Sequence, residues 1–357
     1  MRRYALRSMP HRKNFGSDNQ APAHPAILEA LIQANSGGTP SYGDDPWTAR
    51  AQELFRKHFG PAARAFPVFN GTGANVLALS ALLRPQDAVL CARDAHVDVD
   101  EGGAPERFGG FKLVALATEH GKIAPEAIAG QLGSIGDCHR VQPRALTLSN
   151  ATEVGTLYTP AELARIAEAA HARGLLLHVD GARICNAAAA LGLPLAELTT
   201  KAGVDVLSFG GTKNGLLGAE AVVFLREGPG ADFLYLRKQG MQLASKQRFL
   251  SVQLGALLEG ELWRENASQA NAMAARLAAA LAGAPGLEIA HPVQANAVFA
   301  RLPREAIATL LKSYRFLVWD EPQGLVRWMC SWDTRAEQVD SFAADVRLAL
   351  TPRSRGS

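Results

Sequence analysis

Through its first two thirds the chain sets short, unbroken apolar runs between longer stretches with helical spacing. The runs are AFPVF (65–69), DAVLCA (87–92), KLVAL (112–116), RALTLS (144–149), LLLHVD (175–180), DVLSFG (205–210) and EAVVFL (220–225). A strand with one wet face alternates apolar and polar residues, whereas one that is apolar throughout must be covered on both faces. Helices between such strands supply the cover, so the expected fold class is α/β, doubly wound around a mostly parallel sheet. One of these helices is well marked: TPAELARIAEAAHARG offers Thr159 as N-cap, Pro160 at the first helical position and Gly174 as a stop.

After about residue 250 the rhythm changes. An Ala-rich helical region leads to NAVFARL (296–302), a helix from about Pro303, the strands FLVWD and LVRWMC, and a last helix near Thr334 to Leu350. The expected organisation is an N-terminal segment 1–45, a large α/β domain 46–250 and a smaller C-terminal α+β domain 251–357. The opening segment is irregular, with turn residues around SGGTPSYGDDP, and loops of that length often carry function. No internal repeat is visible.

Composition excludes several partners. A formal net charge of +3 over 357 residues gives no electrostatic reason to bind nucleic acid or a membrane surface. The start, MRRYALRSMPHRKN, is basic but lacks the apolar run of a signal peptide, and reads as a frayed tail. The longest apolar candidate, Ala267 to Ala284, is broken by Asn271 and Arg276, so no membrane span is expected. Cys91, Cys138, Cys185 and Cys330 lie far apart without a C-x-x-C pair, which argues for reduced thiols, a cytoplasmic protein and no metal site.

Three signals carry chemistry. The first is the turn Asn70-Gly71-Thr72-Gly73-Ala74-Asn75 between a strand and a helix, where free N–H groups and the helix dipole favour a phosphate. It also matches two of the three glycines of a dinucleotide-binding fingerprint, with Val76 in place of the third and Asp94 ending the next strand. The second is His178-Val179-Asp180-Gly181-Ala182-Arg183. Asp180 ends a buried strand, where a carboxylate can keep a pyridine nitrogen protonated, and Arg183 is within reach of the same place. An ion pair capping a helix start is the competing structural reading. The third is Ser208-Phe209-Gly210-Gly211-Thr212-Lys213, a lysine directly after an apolar strand and a glycine pair. A lysine that condenses with a cofactor aldehyde needs such a short, partly desolvated tether. One helix and one strand separate Asp180 from Lys213, enough to bring both to neighbouring strand ends.

GSDN (16–19), YGDD (42–45), FNGTGAN (69–75), HVDGAR (178–183), GGTKNG (210–215) and VRWMCSWD (326–333) together make the sequence resemble the threonine aldolases over nearly its whole length. These are fold-type-I pyridoxal-phosphate enzymes with an aspartate-aminotransferase-like large domain; the bacterial low-specificity L-threonine aldolases, phenylserine aldolase included, look closest. The resemblance implies that the chain cleaves a β-hydroxy-α-amino acid to glycine and an aldehyde. It implies that Lys213 bonds the cofactor aldehyde, Asp180 pairs with the ring nitrogen, and Gly71, Thr72 and Gly73 hold the phosphate. His96 falls where the family stacks an imidazole on the ring, with Arg183 close to the cofactor, and His139 matches a second histidine near the substrate hydroxyl. Ser17, Arg183 and Arg327 match positions that bind the substrate carboxylate, and Tyr42 a tyrosine that arrives from a neighbouring subunit. A homotetramer, as a dimer of dimers, is implied as well.

The sequence departs from many relatives in two places. Ala151-Thr152-Glu153-Val154 replaces a Thr-His-Asn turn, and GMQLASKQR replaces a Met-Arg-Gln stretch, leaving Lys246 or Arg248 to supply an interface charge. Two further function classes remain open from the residues alone: another fold-type-I enzyme, such as an aminotransferase or a glycine-dependent transaldolase, and a nicotinamide-dependent dehydrogenase built on Gly71 and Asp94. A non-catalytic binding protein is the remaining alternative.

Overall fold

Seven strands make up the main sheet of the structure, a computed structural model that describes residues 13–351. The basic tail expected at the start lies, up to residue 12, outside the described residues. In chain order the strands are β1 (Arg64–Val68), β2 (Asp87–Ala92), β3 (Lys112–Leu116), β4 (Gln142–Ser149), β5 (Leu176–Gly181), β6 (Val206–Gly210) and β7 (Glu220–Phe224). Across the sheet they run β1-β7-β6-β5-β4-β2-β3. Every apolar run of the sequence forms a strand. Side chains of β2, β6 and β7 are buried throughout, while the edge strands β1 and β3 are partly open, as expected for a sheet covered on both faces.

All neighbours pair in parallel except β7, which is antiparallel to both β1 and β6. The cause is local. Only residues 211–219 join β6 to β7, too few for the crossover that a parallel pair requires. The sheet order also removes the dinucleotide reading. A βαβ nucleotide unit needs its two strands side by side, yet β7, β6, β5 and β4 lie between β1 and β2. Gly71 and Asp94 therefore do not belong to one such unit.

Helices hold the sheet by ordinary apolar packing. Phe209 of β6 meets Phe55 and Phe59 of the helix Pro46–Phe59 edge-on, at 5.4 and 5.9 Å between ring centres. Such pairs add about 1 kcal/mol each beyond their buried area. The helix Pro160–His171 starts at the predicted cap: Thr159 Oγ1 accepts from Glu162 N–H, and the Glu162 carboxylate accepts from Thr159 N–H at 2.7 Å. Among the described residues no helix is long and apolar enough to cross a membrane.

A second, smaller sheet contains β8 (Ala297–Arg301), β9 (Leu317–Asp320) and β10 (Leu325–Met329), in the order β9-β10-β8 and antiparallel, with the short strand Glu288–Ile289 on its edge. Its core is aromatic: Phe15 stacks on Phe342 at 4.4 Å, and Trp328 meets Phe342 edge-on at 5.2 Å. The helix Leu262–Leu281 serves both cores, with Trp263 and Ala267 in the large one and Ala274, Leu277 and Leu281 in the small one. Side chains thus change cores inside that helix, beyond the division expected at residue 250. The N-terminal segment is split as well. Phe15 is built into the small core, with its N–H donated to Arg315 O and its carbonyl accepting from Met329 N–H. That anchorage carries residues 16–19 over the ends of the large sheet.

Candidate active site

The site lies at the carboxyl ends of β4, β5 and β6, which the register brings level: Ser149 opposes Asp180, and Asp180 opposes Ser208. Asp180 is buried and held at both oxygens. Asn75 Nδ2 donates to Oδ2 at 2.8 Å and Ala182 N–H to Oδ1 at 2.9 Å. Burial pulls its pKa upward, but the charge of Lys213, the Ala182 N–H, His96 and Asn75 outweigh it and hold Asp180 below the usual carboxylate range. Behind it His178 bridges Thr147 Oγ1 (2.7 Å) and Ser208 Oγ (2.9 Å), and burial lowers its pKa to about 4, so it stays neutral.

Lys213 sits one short turn past β6, on the wall of a cavity of about 410 Å³ whose lining also includes Gly71, Thr72, His96 and Asp180. The glycine pair before it is a matter of space. A Cβ on Gly210 would come within 2.3 Å of the Ala182 carbonyl, beside Asp180, and one on Gly211 within 2.6 Å of Ala219 O. Glu220 pins the turn by accepting Gly211 N–H at 2.8 Å.

The phosphate turn opens the helix Gly71–Ser80, with Asn70 as its cap. Here the sequence reading needs refinement. Gly73 donates its N–H to Asn70 Oδ1 at 2.8 Å, so it is not free for a ligand, and Gly73 lies against Gln242, which a Cβ there would strike at 2.5 Å. Gly71 and Thr72 face the cavity and have no backbone acceptor among the described residues.

His96 stands over the same cavity. Its Nδ1 lies 2.8 Å from Oε1 of the enclosed Glu101, which Asn75 Nδ2 also contacts. That hydrogen bond outweighs burial and raises the His96 pKa, while burial raises that of Glu101. Asn75 therefore ties the pairs Asp180 and Glu101–His96 into one network.

A second wall comes from the N-terminal segment and the small sheet. Arg183 Nε and Nη2 donate to Asp18 Oδ2 and Oδ1 at 2.7 and 3.0 Å. Burial alone would raise the Asp18 pKa, but Arg183 brings it down to about 2. Arg327 on β10 donates through Nη2 to Gly16 O at 3.2 Å and lies 5.4 Å from the Trp319 ring centre, whereas its Nε is buried without a hydrogen-bond partner. Burial, reinforced by Arg183, lowers its pKa. A buried guanidinium donor with no acceptor is a ready seat for a carboxylate. Ser17 caps the turn Asp18–Gln20 by accepting Asn19 N–H, and Asn19 lines the cavity.

Ser17, Arg183 and Arg327 stand behind the residues that line the cavity, and two further expected residues do not reach it. His139 is exposed on the loop before β4, and its N–H goes to Asp137 Oδ1 at 2.9 Å. β4 then runs eight residues, roughly 25 Å, before its carboxyl end enters the site, so His139 lies at the opposite edge of the sheet. Tyr42 is 49 % exposed, with Lys238 Nζ 5.3 Å from its ring centre. The sequence reading passed over Asp18, Asn75, Glu101 and Glu220. Asp18 and Asn75 sit inside quoted motifs; Glu101 and Glu220 are acids in apolar or glycine-rich surroundings, which local pattern alone does not single out.

With this geometry in place, the comparisons with known proteins are specific. The profile of the beta-eliminating lyase family matches residues 14–304. A low-specificity L-threonine aldolase of Pseudomonas aeruginosa is 45% identical over 342 residues, 95% of this chain and 99% of the relative. One from a Pseudomonas sp. is 45% identical over 341 residues, 95% of this chain and 98% of the relative. Among solved structures, the threonine aldolase of Leishmania major superimposes with a TM-score of 0.89 at 31% identity, over 94% of this chain and 99% of that one.

Proposed function

This chain belongs to the beta-eliminating lyase family, alongside the low-specificity L-threonine aldolases, and we propose that it is a pyridoxal-phosphate-dependent aldolase. Its reaction is cleavage of threonine, allo-threonine or a related β-hydroxy-α-amino acid such as phenylserine to glycine and an aldehyde. One observation carries this reading: an ionised, doubly hydrogen-bonded Asp180 and the amine of Lys213 share one cavity with the open N–H groups of Gly71 and Thr72.

These residues fit the cofactor. Lys213 would hold its aldehyde, Gly71 and Thr72 its phosphate, Asp180 its ring nitrogen, and His96 one ring face. Pyridoxal phosphate, when bound, supplies an electron-poor ring that accepts the negative charge released at the substrate Cα. The protein does the rest. Asp180 stays a carboxylate at neutral pH and so would keep a proton on a ring nitrogen placed against it. Arg327 takes the substrate carboxylate through its free Nε, with Arg183 and Ser17 beside it; that grip fixes how the Cα–Cβ bond is turned. Lys213 Nζ is placed to hold or return a proton at Cα.

The proposal includes a homo-oligomer. Tyr42 is exposed and does not line the chain's own cavity, and Phe69, Phe108, Tyr235 and Met241 are exposed around the Gly71–Ser80 helix and its neighbours, an apolar surface that a second copy would cover. Cytoplasmic action is also part of the reading. It is supported by four free cysteines, of which Cys91, Cys185 and Cys330 are buried with pKa values pushed up to about 12 by burial.

The test is to incubate the cofactor-loaded protein with L-threonine and follow acetaldehyde and glycine. The reading expects both in equal amounts. A keto acid product instead would make the chain an aminotransferase, and no reaction with either threonine or phenylserine would overturn the proposal.

A further inference from the structure

Asp180, Asp18, Glu101 and Glu220 are all tied down by hydrogen bonds at or around the site. Glu153 is not. Its side chain is partly buried in the same region and carries no hydrogen bond or ion pair to any described residue. It follows β4 directly: Ser149 opposes Asp180, Asn150 N–H donates to Asp180 O, and Glu153 is the second residue of a turn closed by Gly155 N–H on Thr152 O. The turn leaves little choice of direction. Thr152 and Val154 crowd Gly121, at 2.9 and 3.0 Å from where its Cβ would be, and Val154 packs with Ala297, Phe299 and Met329. Glu153 is thereby left between the strand ends and β10. The charges that face it are Asp180, Arg183, Lys213 and His96 from the large sheet's side, and Arg327 from the small sheet.

We propose that Glu153 is the group that takes the proton from the substrate β-hydroxyl. This rests on the aldolase reading above. A substrate whose carboxylate sits on Arg327 and whose amine points to Lys213 must present its β-carbon to the groups between them. His139 is at the far edge of the sheet, Asp100 is exposed, and His96 is tied through Nδ1 to Glu101 and given to the cofactor ring, so Glu153 is the enclosed carboxyl left without a partner there. The step balances. Glu153 receives the hydroxyl proton as the Cβ–O bond becomes a carbonyl and the Cα–Cβ bond breaks. The electron pair stays on the Cα side, Cα takes its proton from Lys213 Nζ, and Glu153 releases the hydroxyl proton to water, giving glycine and the aldehyde. Burial, with Asp180 close by, raises the Glu153 pKa above the ordinary carboxyl value, which makes its carboxylate a stronger proton acceptor.

The experiment compares cofactor-loaded wild type with Glu153→Gln by three readouts. These are threonine cleavage as a function of pH, exchange of the glycine α-hydrogens with D2O, and the visible band of the bound cofactor. Glycine has no β-hydroxyl, so its exchange uses the same cofactor and carboxylate seat without the proposed base. The expected result is a kcat for threonine lower by about a hundredfold or more, with the rising acid limb of the pH profile gone. Glycine exchange and the visible band should be nearly unchanged. A variant that cleaves threonine at near wild-type rate with its acid limb intact would overturn the assignment. So would equal losses of cleavage and exchange, which mark a merely structural residue. Should wild type exchange glycine but cleave no β-hydroxy amino acid, the aldolase reading itself fails, and the role given to Glu153 fails with it.

Discussion

The two walls of the site are built on opposite principles. On the sheet side, Asp180 accepts a hydrogen bond at each oxygen, His178 is bridged between two hydroxyls, and Glu220 pins the lysine turn. On the side made by residues 16–19, β10 and the 152–155 turn, Arg327 Nε and Asn296 Oδ1 are buried without partners, and Glu153 is unpaired. The first wall is largely cross-linked within itself, and its open groups are the Gly71 and Thr72 N–H groups with Asn75 Oδ1 and Glu101 Oε2, as suits groups that fix a resident cofactor. The second has open valences, as suits groups that meet their partner only when substrate arrives. The walls also belong to different cores, so the Asp18–Arg183 ion pair is one of the ties holding them in register.

Breaking the first wall should cost most. Lys213→Ala is expected to lose the visible band of the bound cofactor and to lower cleavage by about four orders of magnitude or more, since the tethered amine is replaced by one from solution. A variant with near-normal turnover would erase the distinction between the walls. Breaking the second wall alone should separate binding from chemistry. Arg327→Ala is expected to raise KM for threonine about thirtyfold, the equivalent of one charge-assisted hydrogen bond of about 2 kcal/mol. Cofactor affinity, measured by absorbance titration, should be retained. Unchanged KM would remove Arg327 from the substrate wall.

A subtler change tunes the first wall without opening it. The hydrogen bond that His96 donates to Glu101 raises the His96 pKa above its ordinary 6.5, so the folded chain holds that proton more tightly than the unfolded one. The pair therefore adds stability at and below the ordinary imidazole range, and that stability is lost as pH rises through the folded value. Glu101→Gln should flatten this slope of stability with pH; an unchanged slope would show that Glu101 is not what tightens the His96 proton. Smallest of all is Thr159→Ala, remote from both walls. Losing the cap should cost about 1 kcal/mol, a fall in Tm of about 2 °C, with kcat unchanged.

The first wall was largely legible in local residue pattern, whereas in the second Ser17 and Arg327 came only through the family resemblance and Asp18 and the role of Glu153 did not come at all. Asp180, Lys213 and the Gly71 turn sit within a few residues of apolar strands that mark their own ends, so local pattern places them together. The reversal of β7 was hidden until the shortness of the 211–219 link is weighed against the crossover a parallel pair needs. Phe15 joins the small core through contacts some three hundred positions away in sequence, which no window of pattern reveals. Asp18 and Glu153 owe their roles to that long-range closure. His139 lies in a segment resembling the family's, but its distance from the site is set by the length of β4, a tertiary quantity. Two glycines matched a nucleotide fingerprint, and only the order of strands decided against it.

The decisive measurement follows the amine itself. The protein, supplemented with pyridoxal phosphate, is reduced with borohydride, digested, and searched by mass spectrometry for the lysine that carries the cofactor. The mark should lie on Lys213, in the peptide after β6, and be absent from Lys213→Ala. Label on any other amine, or none on a protein that nevertheless cleaves threonine, would contradict the proposed chemistry at its root.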